Sequence, residues 1–126
     1  MWHMELPIRT VSEANAREHW AKKAKRAKGH RMAAYLTLVS LLPSKEPRPW
    51  LAISNASVTV RIVRIGPRKL DSDNCAGACK HVRDGIADAI GIDDGDPRYT
   101  WIYDQEKGRE YSVRITVTID LIPPNQ

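Results

Sequence analysis

The feature of this sequence that most restricts its fold is a change of hydrophobic period along the chain. The stretch "ASVTVRIVRIG" (residues 56–66) alternates β-branched and polar residues, which predicts a strand. From Asn74 to Ile90 the pattern becomes helical, and Gly91 is placed to end that helix. A strand followed by an amphipathic helix predicts a layered structure in which the helix lies on a sheet.

The flanking segments predict further strands and a further helix. "MELPIRT" predicts an opening strand that ends at Thr10, and Thr10 with Glu13 has the spacing of a capping box, so a helix is expected to begin there. "LLPSKEPRPW" contains three prolines and predicts a loop. The C-terminal part predicts a hairpin with strands near Tyr99–Tyr103 and from Glu110 to Leu121, joined by a turn at "DQEKG".

Together these elements predict an α/β (α+β) fold. We expect a single small domain over residues 1–126, with a mixed sheet of about four strands and two main helices packed on it. No segment approaches the ~20 apolar residues of a membrane helix, and the N-terminus lacks the pattern of a signal peptide. We therefore expect no membrane association and a location in the cytoplasm of a bacterial or phage-infected cell.

The charge of the chain is unevenly distributed. The net charge of the whole chain is +5, whereas residues 17–31 alone carry a charge of +6 from seven basic residues and one acid. Such a segment is often only a solvated helix face. Clustered Lys and Arg also favour binding to phosphate backbones through counterion release. The candidate DNA-binding residues are Lys22, Lys23, Lys25, Arg26, Lys28 and Arg31.

An acidic stretch, "LDSDNCAGACKHVRDGIADAIGIDDGDP", follows the predicted strand. Residues 70–97 contain seven aspartates against Lys80 and Arg83, a local charge of −5. On a continuous helix the apolar residues form one face, while Asp73, Gly77, Lys80 and Asp84 form the opposite stripe. The apolar face is expected to lie on the sheet.

Cys75 and Cys79 fall on the apolar face of this predicted helix. We interpret them as small buried residues, because a zinc site needs more ligands and His81 alone cannot supply them. Two cysteines also provide no disulfide framework.

The aspartates at the two ends of the acidic stretch are candidate metal ligands. In an extended D-x-D, the side chains of Asp71 and Asp73 project to the same side. If the return strand brings Asp93 and Asp94 alongside them, the clustered carboxylates need a cation, and hard oxygen ligands suit Mg²⁺ or Mn²⁺. In the alternative interpretation, Asp71, Asp73 and Asn74 cap the helix and "DDGDP" is a polar turn.

The combination of "LDSDN", the Lys80–Asp84 spacing and "GIDDGDP" resembles the RusA family of Holliday-junction resolvases and their phage relatives. The specific core of the resemblance is about thirty residues. It extends loosely to "HWAKKAKRAK" and to the C-terminal "YSVRITVTI". The resemblance implies a small α/β homodimer that cuts four-way DNA junctions with Mg²⁺ and acidic residues, and no organic cofactor.

The resemblance also implies roles for individual residues. Asp71, Asp73 and Asp94 correspond to metal-binding and catalytic carboxylates, with Asp93 a close substitute for Asp94, and Lys80 corresponds to the catalytic lysine. The family pattern, however, places the lysine three residues after the asparagine, where this chain has Gly77. Lys80 lies three residues farther on, which is ~4.5 Å along a helix.

The expected function is therefore a Mg²⁺-dependent, structure-selective endodeoxyribonuclease acting on branched DNA. Two hypotheses of another class stay open. One is a DNA-binding protein that keeps the fold without cleaving. The other is a metal-binding regulatory protein, which the +6 segment disfavours.

Overall fold

The computed structural model of the protein describes residues 1–12, 19–43 and 56–121. In chain order they form β1 (Trp2–Leu6), α1 (Trp20–Leu41), β2 (Ala56–Gly66), α2 (Ser72–Ala78), α3 (Lys80–Ile90), β3 (Tyr99–Lys107) and β4 (Ser112–Leu121). The predicted α+β fold with a four-stranded mixed sheet is confirmed, and these residues contain three helices where two main ones were expected.

The sheet has the order β1-β4-β2-β3. β4 is antiparallel to both β1 and β2, whereas β3 runs parallel to β2, with Val60 opposite Trp101. The predicted hairpin between β3 and β4 is therefore wrong, because β2 lies between these strands. Parallel pairing requires a crossover connection, and α2 and α3 provide it.

The core lies between one face of the sheet and the helices. Val58, Val60 and Ile62 alternate along β2 and are fully buried, as the period-two pattern predicts. Helix α3 buries Val82 and Ile86 in the same cluster of hydrophobic residues. This packing fixes α3 against the sheet and so fixes the acidic residues at its ends.

The acidic stretch forms two helices, where the sequence predicted one helix from Asn74 to Ile90. Helix α2 ends before Cys79, whose φ of −96° and ψ of 3° are not helical, and α3 begins at Lys80. The Cys79 N–H is shared between the carbonyl oxygens of Cys75 and Ala76, 3.2 Å from each, which marks a distorted turn. The predicted end at Gly91 is confirmed, with a φ of 84°.

Helix α1 packs closely on α3 at Gly85. A Cβ atom at this position would lie 2.2 Å from the Arg31 carbonyl oxygen and 2.9 Å from the Ala34 Cβ. Only a residue without a side chain permits this approach. Since α1 carries the basic segment, the contact sets the position of the basic surface relative to the acidic one.

The N-terminal boundaries differ from those predicted. β1 ends at Leu6 rather than at Thr10, and the helix with the basic residues begins at Trp20, capped by His19 Nδ1, which accepts from the Ala21 N–H at 3.2 Å. Glu13, and with it the predicted capping box, lies outside the described residues, as does most of the predicted proline-rich loop. None of the described helices is long and apolar enough to cross a membrane.

Candidate functional site

The first candidate element is the junction between the central strand β2 and helix α2, where Asp71 and Asp73 lie. Gln105 of β3 binds both the backbone N–H and the carbonyl of Leu70, the residue before Asp71. Its Oε1 accepts from the Leu70 N–H at 2.7 Å, and its Nε2 donates to the Leu70 carbonyl at 2.6 Å. These paired bonds fix the point from which the Asp71 side chain projects.

A buried arginine binds the same junction two residues earlier in the chain, at Arg68. Arg64 of β2 is 4% exposed, and its Nη1 donates to the Arg68 carbonyl at 2.8 Å. The turn between β2 and α2 is thus held by Arg64 at Arg68 and by Gln105 at Leu70. Two side chains therefore hold the backbone of this turn.

The carboxylate of Asp71 is exposed and does not cap the helix that follows it. Asp71 occupies the N-cap position of α2, yet its side chain makes no capping hydrogen bond; its carbonyl oxygen accepts from the Cys75 N–H at 2.8 Å. Asp73 is also exposed and lies in the first turn, where the helix dipole favours a negative charge. Capping by the Asp71 side chain therefore does not account for this carboxylate.

The relation between Asp71 and Asp73 differs from the expected one. α2 begins at Ser72, so the D-x-D is not extended and strand alternation does not apply to it. The two residues are still only two positions apart, which limits their Cα separation to roughly 7 Å. Both carboxylates therefore stay near the N-terminus of α2.

Lys80 is exposed and is the first residue of α3. The predicted stripe of Asp73, Gly77, Lys80 and Asp84 assumed a continuous helix. Because the helix breaks at Cys79, Asp73 and Lys80 lie on different helices, and their spacing no longer places them on one face. The predicted continuous helix is wrong, whereas the shared face and the role that the resemblance implies for Lys80 stay predictions.

Asp94 follows the C-terminal end of α3 in the chain, and the side chain of Arg83, near the start of α3, binds it. Arg83 Nε donates to Asp94 Oδ2 at 2.9 Å, and its Nη2 donates to the Asp94 carbonyl at 3.0 Å. Trp101 Nε1 donates to the same carbonyl at 3.0 Å, and the Arg83 guanidinium lies 4.5 Å from the centroid of the Trp101 ring. Asp94 is thus part of a network that joins α3 to β3.

The aspartates at the two ends of the acidic stretch are connected to different parts of β3. Leu70, next to Asp71, is bound at Gln105, whereas the Asp94 carbonyl is bound at Trp101. Gln105 and Trp101 are four positions apart, which is roughly 13 Å along a strand. The expected convergence of all four carboxylates is not seen: no group of three His, Cys, Asp or Glu in the described part of the chain could hold a metal ion.

Asp93 and Asp94 instead share a hollow with two aspartates of α3. The hollow has a volume of about 350 Å³, and its charged lining residues are Asp84, Asp88, Asp93, Asp94 and Arg31. Asp93 Oδ2 also accepts from the Gly95 N–H at 3.1 Å, a bond typical of a polar turn.

Two carboxylates are sufficient for one kind of metal site. Mg²⁺ keeps several water ligands and is commonly bound through one or two carboxylates together with substrate phosphates. Asp71 and Asp73 fit this pattern because both are exposed carboxylates at a junction whose backbone Gln105 binds. Asp94 fits it less well, since Arg83 already binds its Oδ2.

The predicted DNA-binding residues lie on α1. Lys22, Lys25 and Lys28 are exposed, while Lys23 and Arg26 are half-buried. Arg31 is exposed but is paired with Asp88 through two hydrogen bonds, at 2.6 and 2.9 Å. Its charge is therefore partly neutralised within the molecule.

Cys75 and Cys79 are both free and buried, as predicted. A hydrogen bond between the two thiols lowers the pKa of Cys75 to about 7, with a further contribution from the charge of Arg64. The same bond, together with burial, raises the pKa of Cys79. Cys79 belongs to the hydrophobic core, and the Cys75 thiol donates to the Asp104 carbonyl at 4.0 Å.

The sequence interpretation missed Gln105, Arg64 and Arg83 as supporting residues. The sequence did indicate a partner role for Arg83, because it is one of two basic residues in the acidic stretch. Gln105 had none, since its role depends on the parallel pairing of β3 with β2.

Comparison with models of known protein families found no match for this chain, and comparison with curated proteins found none.

Proposed function

We propose that this protein is a Mg²⁺-dependent endonuclease of the RusA type that hydrolyses phosphodiesters in branched DNA. The observation that carries the proposal is the exposed carboxylate of Asp71, which lies next to the hydrogen-bonded residue Leu70 and close to Asp73 without capping α2. Two exposed carboxylates held near a helix N-terminus are an arrangement that suits a hydrated Mg²⁺ and a phosphate.

Asp71 and Asp73 are the proposed ligands of the ion. Bound there, Mg²⁺ (or Mn²⁺) would supply an activated water and would stabilise the charge that develops on the phosphate oxygens. The protein's own contribution is to hold the two carboxylates in place through Gln105 and Arg64. The basic face of α1 would hold DNA phosphates without reading the bases.

Asp94 and Asp93 make contacts within the protein that require no metal ion. Asp94 braces α3 against β3 through Arg83, and Asp93 bonds within its own turn. Lys80 begins α3 with an exposed side chain. Their catalytic roles follow only from the family resemblance.

A non-catalytic DNA-binding protein is the second candidate function. It is favoured by one observation: the helix break at Cys79 places Asp73 and Lys80 on different helices. The two candidates share the basic α1 and differ in whether the bound DNA is cut.

The deciding experiment incubates the pure protein with a labelled four-way junction and with a linear duplex of matched length, each in Mg²⁺ or in EDTA. The nuclease proposal expects cleavage of the junction alone, and only with Mg²⁺. Binding to the junction without cleavage in Mg²⁺ or Mn²⁺ would contradict it and support the second candidate.

The proposed homodimer would place two such sites on opposed strands, as paired cuts require. A role in DNA recombination or repair would place the protein beside the DNA, in the cytoplasm of a bacterial or phage-infected cell.

A further inference from the structure

We infer that a second basic surface, separate from the predicted residues on α1, holds the DNA strand at Asp71 and Asp73. It consists of Arg68, Lys69, Lys107 and Arg109, which we call the basic rim. The inference rests on the proposed function insofar as it takes DNA as the partner. It adds the residues that would hold the phosphates next to the metal site.

The basic rim is formed by two turns that lie side by side at one end of the sheet. Lys107, the last residue of β3, is opposite Gly66, the last residue of β2. The Gly108 N–H donates to the Gly66 carbonyl at 3.0 Å, so the two chain segments leave the sheet together. Arg68 and Lys69 follow on one side, and Arg109 follows on the other.

Lys107 lies on the same face of β3 as Gln105, because side chains two apart on a strand project to the same side. Gln105 reaches across to Leu70, the residue before Asp71. Lys107 is therefore directed to the side of the sheet that carries the Asp71 junction. Arg68 and Lys69 precede Asp71 by three and two positions.

The charges of the basic rim are not neutralised within the described part of the chain. All four side chains are exposed, and none of them is paired there with a carboxylate. Other arginines are so paired: Arg31, Arg61, Arg83, Arg98 and Arg114 each contact an aspartate or a glutamate. The four unpaired cations of the basic rim thus lie at the same end of the sheet as the Asp71 junction.

A polyanion that binds beside Asp71 and Asp73 requires positive charge close to these carboxylates. Two carboxylates repel the phosphate that must approach them, and clustered Lys and Arg offset this repulsion through counterion release. The turn that carries Arg68 and Lys69 is also held from within the protein, because Arg64 binds the Arg68 carbonyl and Gln105 binds Leu70. The phosphate backbone of DNA is therefore the partner whose charge the rim fits.

The test measures binding of a fluorescent four-way junction by anisotropy in EDTA at several salt concentrations, using the full chain. Lys69→Gln/Lys107→Gln is expected to weaken binding roughly tenfold and to reduce the slope of log affinity against log salt by about 2. Lys69→Arg/Lys107→Arg keeps the charges and is expected to retain the wild-type slope.

Arg61→Gln/Arg114→Gln is the matched control, because it removes two positive charges from the opposite face of the sheet, where both arginines are ion-paired. Its slope is expected to change by less than half as much. An unchanged slope in the Lys69/Lys107 variant, or an equal change in the control, would overturn the inference. Absence of cleavage by the wild type in Mg²⁺ would overturn the nuclease proposal alone, since binding is measured without metal.

Discussion

Gln105 and Leu70, thirty-five positions apart in sequence, are joined by two hydrogen bonds between one side-chain amide and one backbone residue, at 2.7 and 2.6 Å. The contact links the end of β3 to the residue before Asp71. It exists only because β3 pairs in parallel with β2, which brings the carboxyl ends of both strands to the same edge.

Replacing Gln105 with Leu removes both bonds and leaves the Leu70 N–H and carbonyl to find other partners. We expect the free energy of unfolding to fall by about 1–2 kcal/mol. Urea denaturation would measure it, with Thr100→Leu as a control at an exposed position of the same strand. A Gln105→Leu variant as stable as the wild type would show that the amide does not hold the junction.

The Arg83–Asp94 pair is expected to contribute a measurable coupling energy. The two side chains are 27% and 38% exposed, so solvent screens the pair only in part. A double-mutant cycle with Arg83→Met and Asp94→Asn is expected to give a coupling of about 1 kcal/mol in the free energy of unfolding. A coupling near zero would contradict the assignment of Asp94 to a brace between α3 and β3.

Gly85 and Gly77 offer a matched pair of helix substitutions. Gly85→Ala forces a Cβ against the Arg31 carbonyl and is expected to cost about 1–3 kcal/mol, because α1 and α3 must separate. At Gly77 a Cβ meets nothing within 4 Å, so Gly77→Ala is expected to stabilise by up to ~1 kcal/mol. Thermal unfolding would compare them, and equal effects would refute the close packing of α1 on α3.

Tyr99 is expected to make stability fall in alkaline solution. Burial, together with the nearby charge of Asp94, raises the pKa of its hydroxyl, which donates to the Ile92 carbonyl at 2.9 Å. Since the unfolded chain loses this proton near pH 10 and the folded chain only at higher pH, the contribution is complete below pH 10 and declines above it.

The decline is expected to approach 1.4 kcal/mol per pH unit above pH 10, and Tyr99→Phe is expected to remove it. Denaturant unfolding of both proteins between pH 8 and 11.5 would measure the difference, in which the other titrating groups cancel. Parallel curves for the two proteins would contradict the buried hydroxyl of Tyr99.

Much of the fold follows from local patterns in the sequence. Residues 56–66 form a strand because β-branched residues alternate there, and the helical pattern ends at Gly91 because glycine readily adopts a positive φ. Strand pairing is different, because the pattern of β3 and β4 is equally compatible with a hairpin. Only the insertion of β2 between them, a long-range effect, decides the order.

The candidate site could be predicted only where it depends on local sequence patterns. Asp71 and Asp73 are identified by their place between a strand and a helix. The helix break at Cys79, which separates Lys80 from Asp73, comes two residues after Gly77, but the hydrophobic pattern of residues 74–90 is equally compatible with one continuous helix. The pairing of Asp94 with Arg83 depends on how α3 lies against β3, which spacing along the chain does not reveal.

The most direct test of the central claim compares Asp73→Asn with Asp120→Asn, a control at an exposed aspartate on β4. Cleavage of a labelled four-way junction in Mg²⁺ would be measured beside binding of the same junction in EDTA. If Asp73 holds the cation, Asp73→Asn loses cleavage and binds the junction as tightly as the wild type or more tightly, while Asp120→Asn behaves as the wild type. Wild-type cleavage by Asp73→Asn would contradict the account.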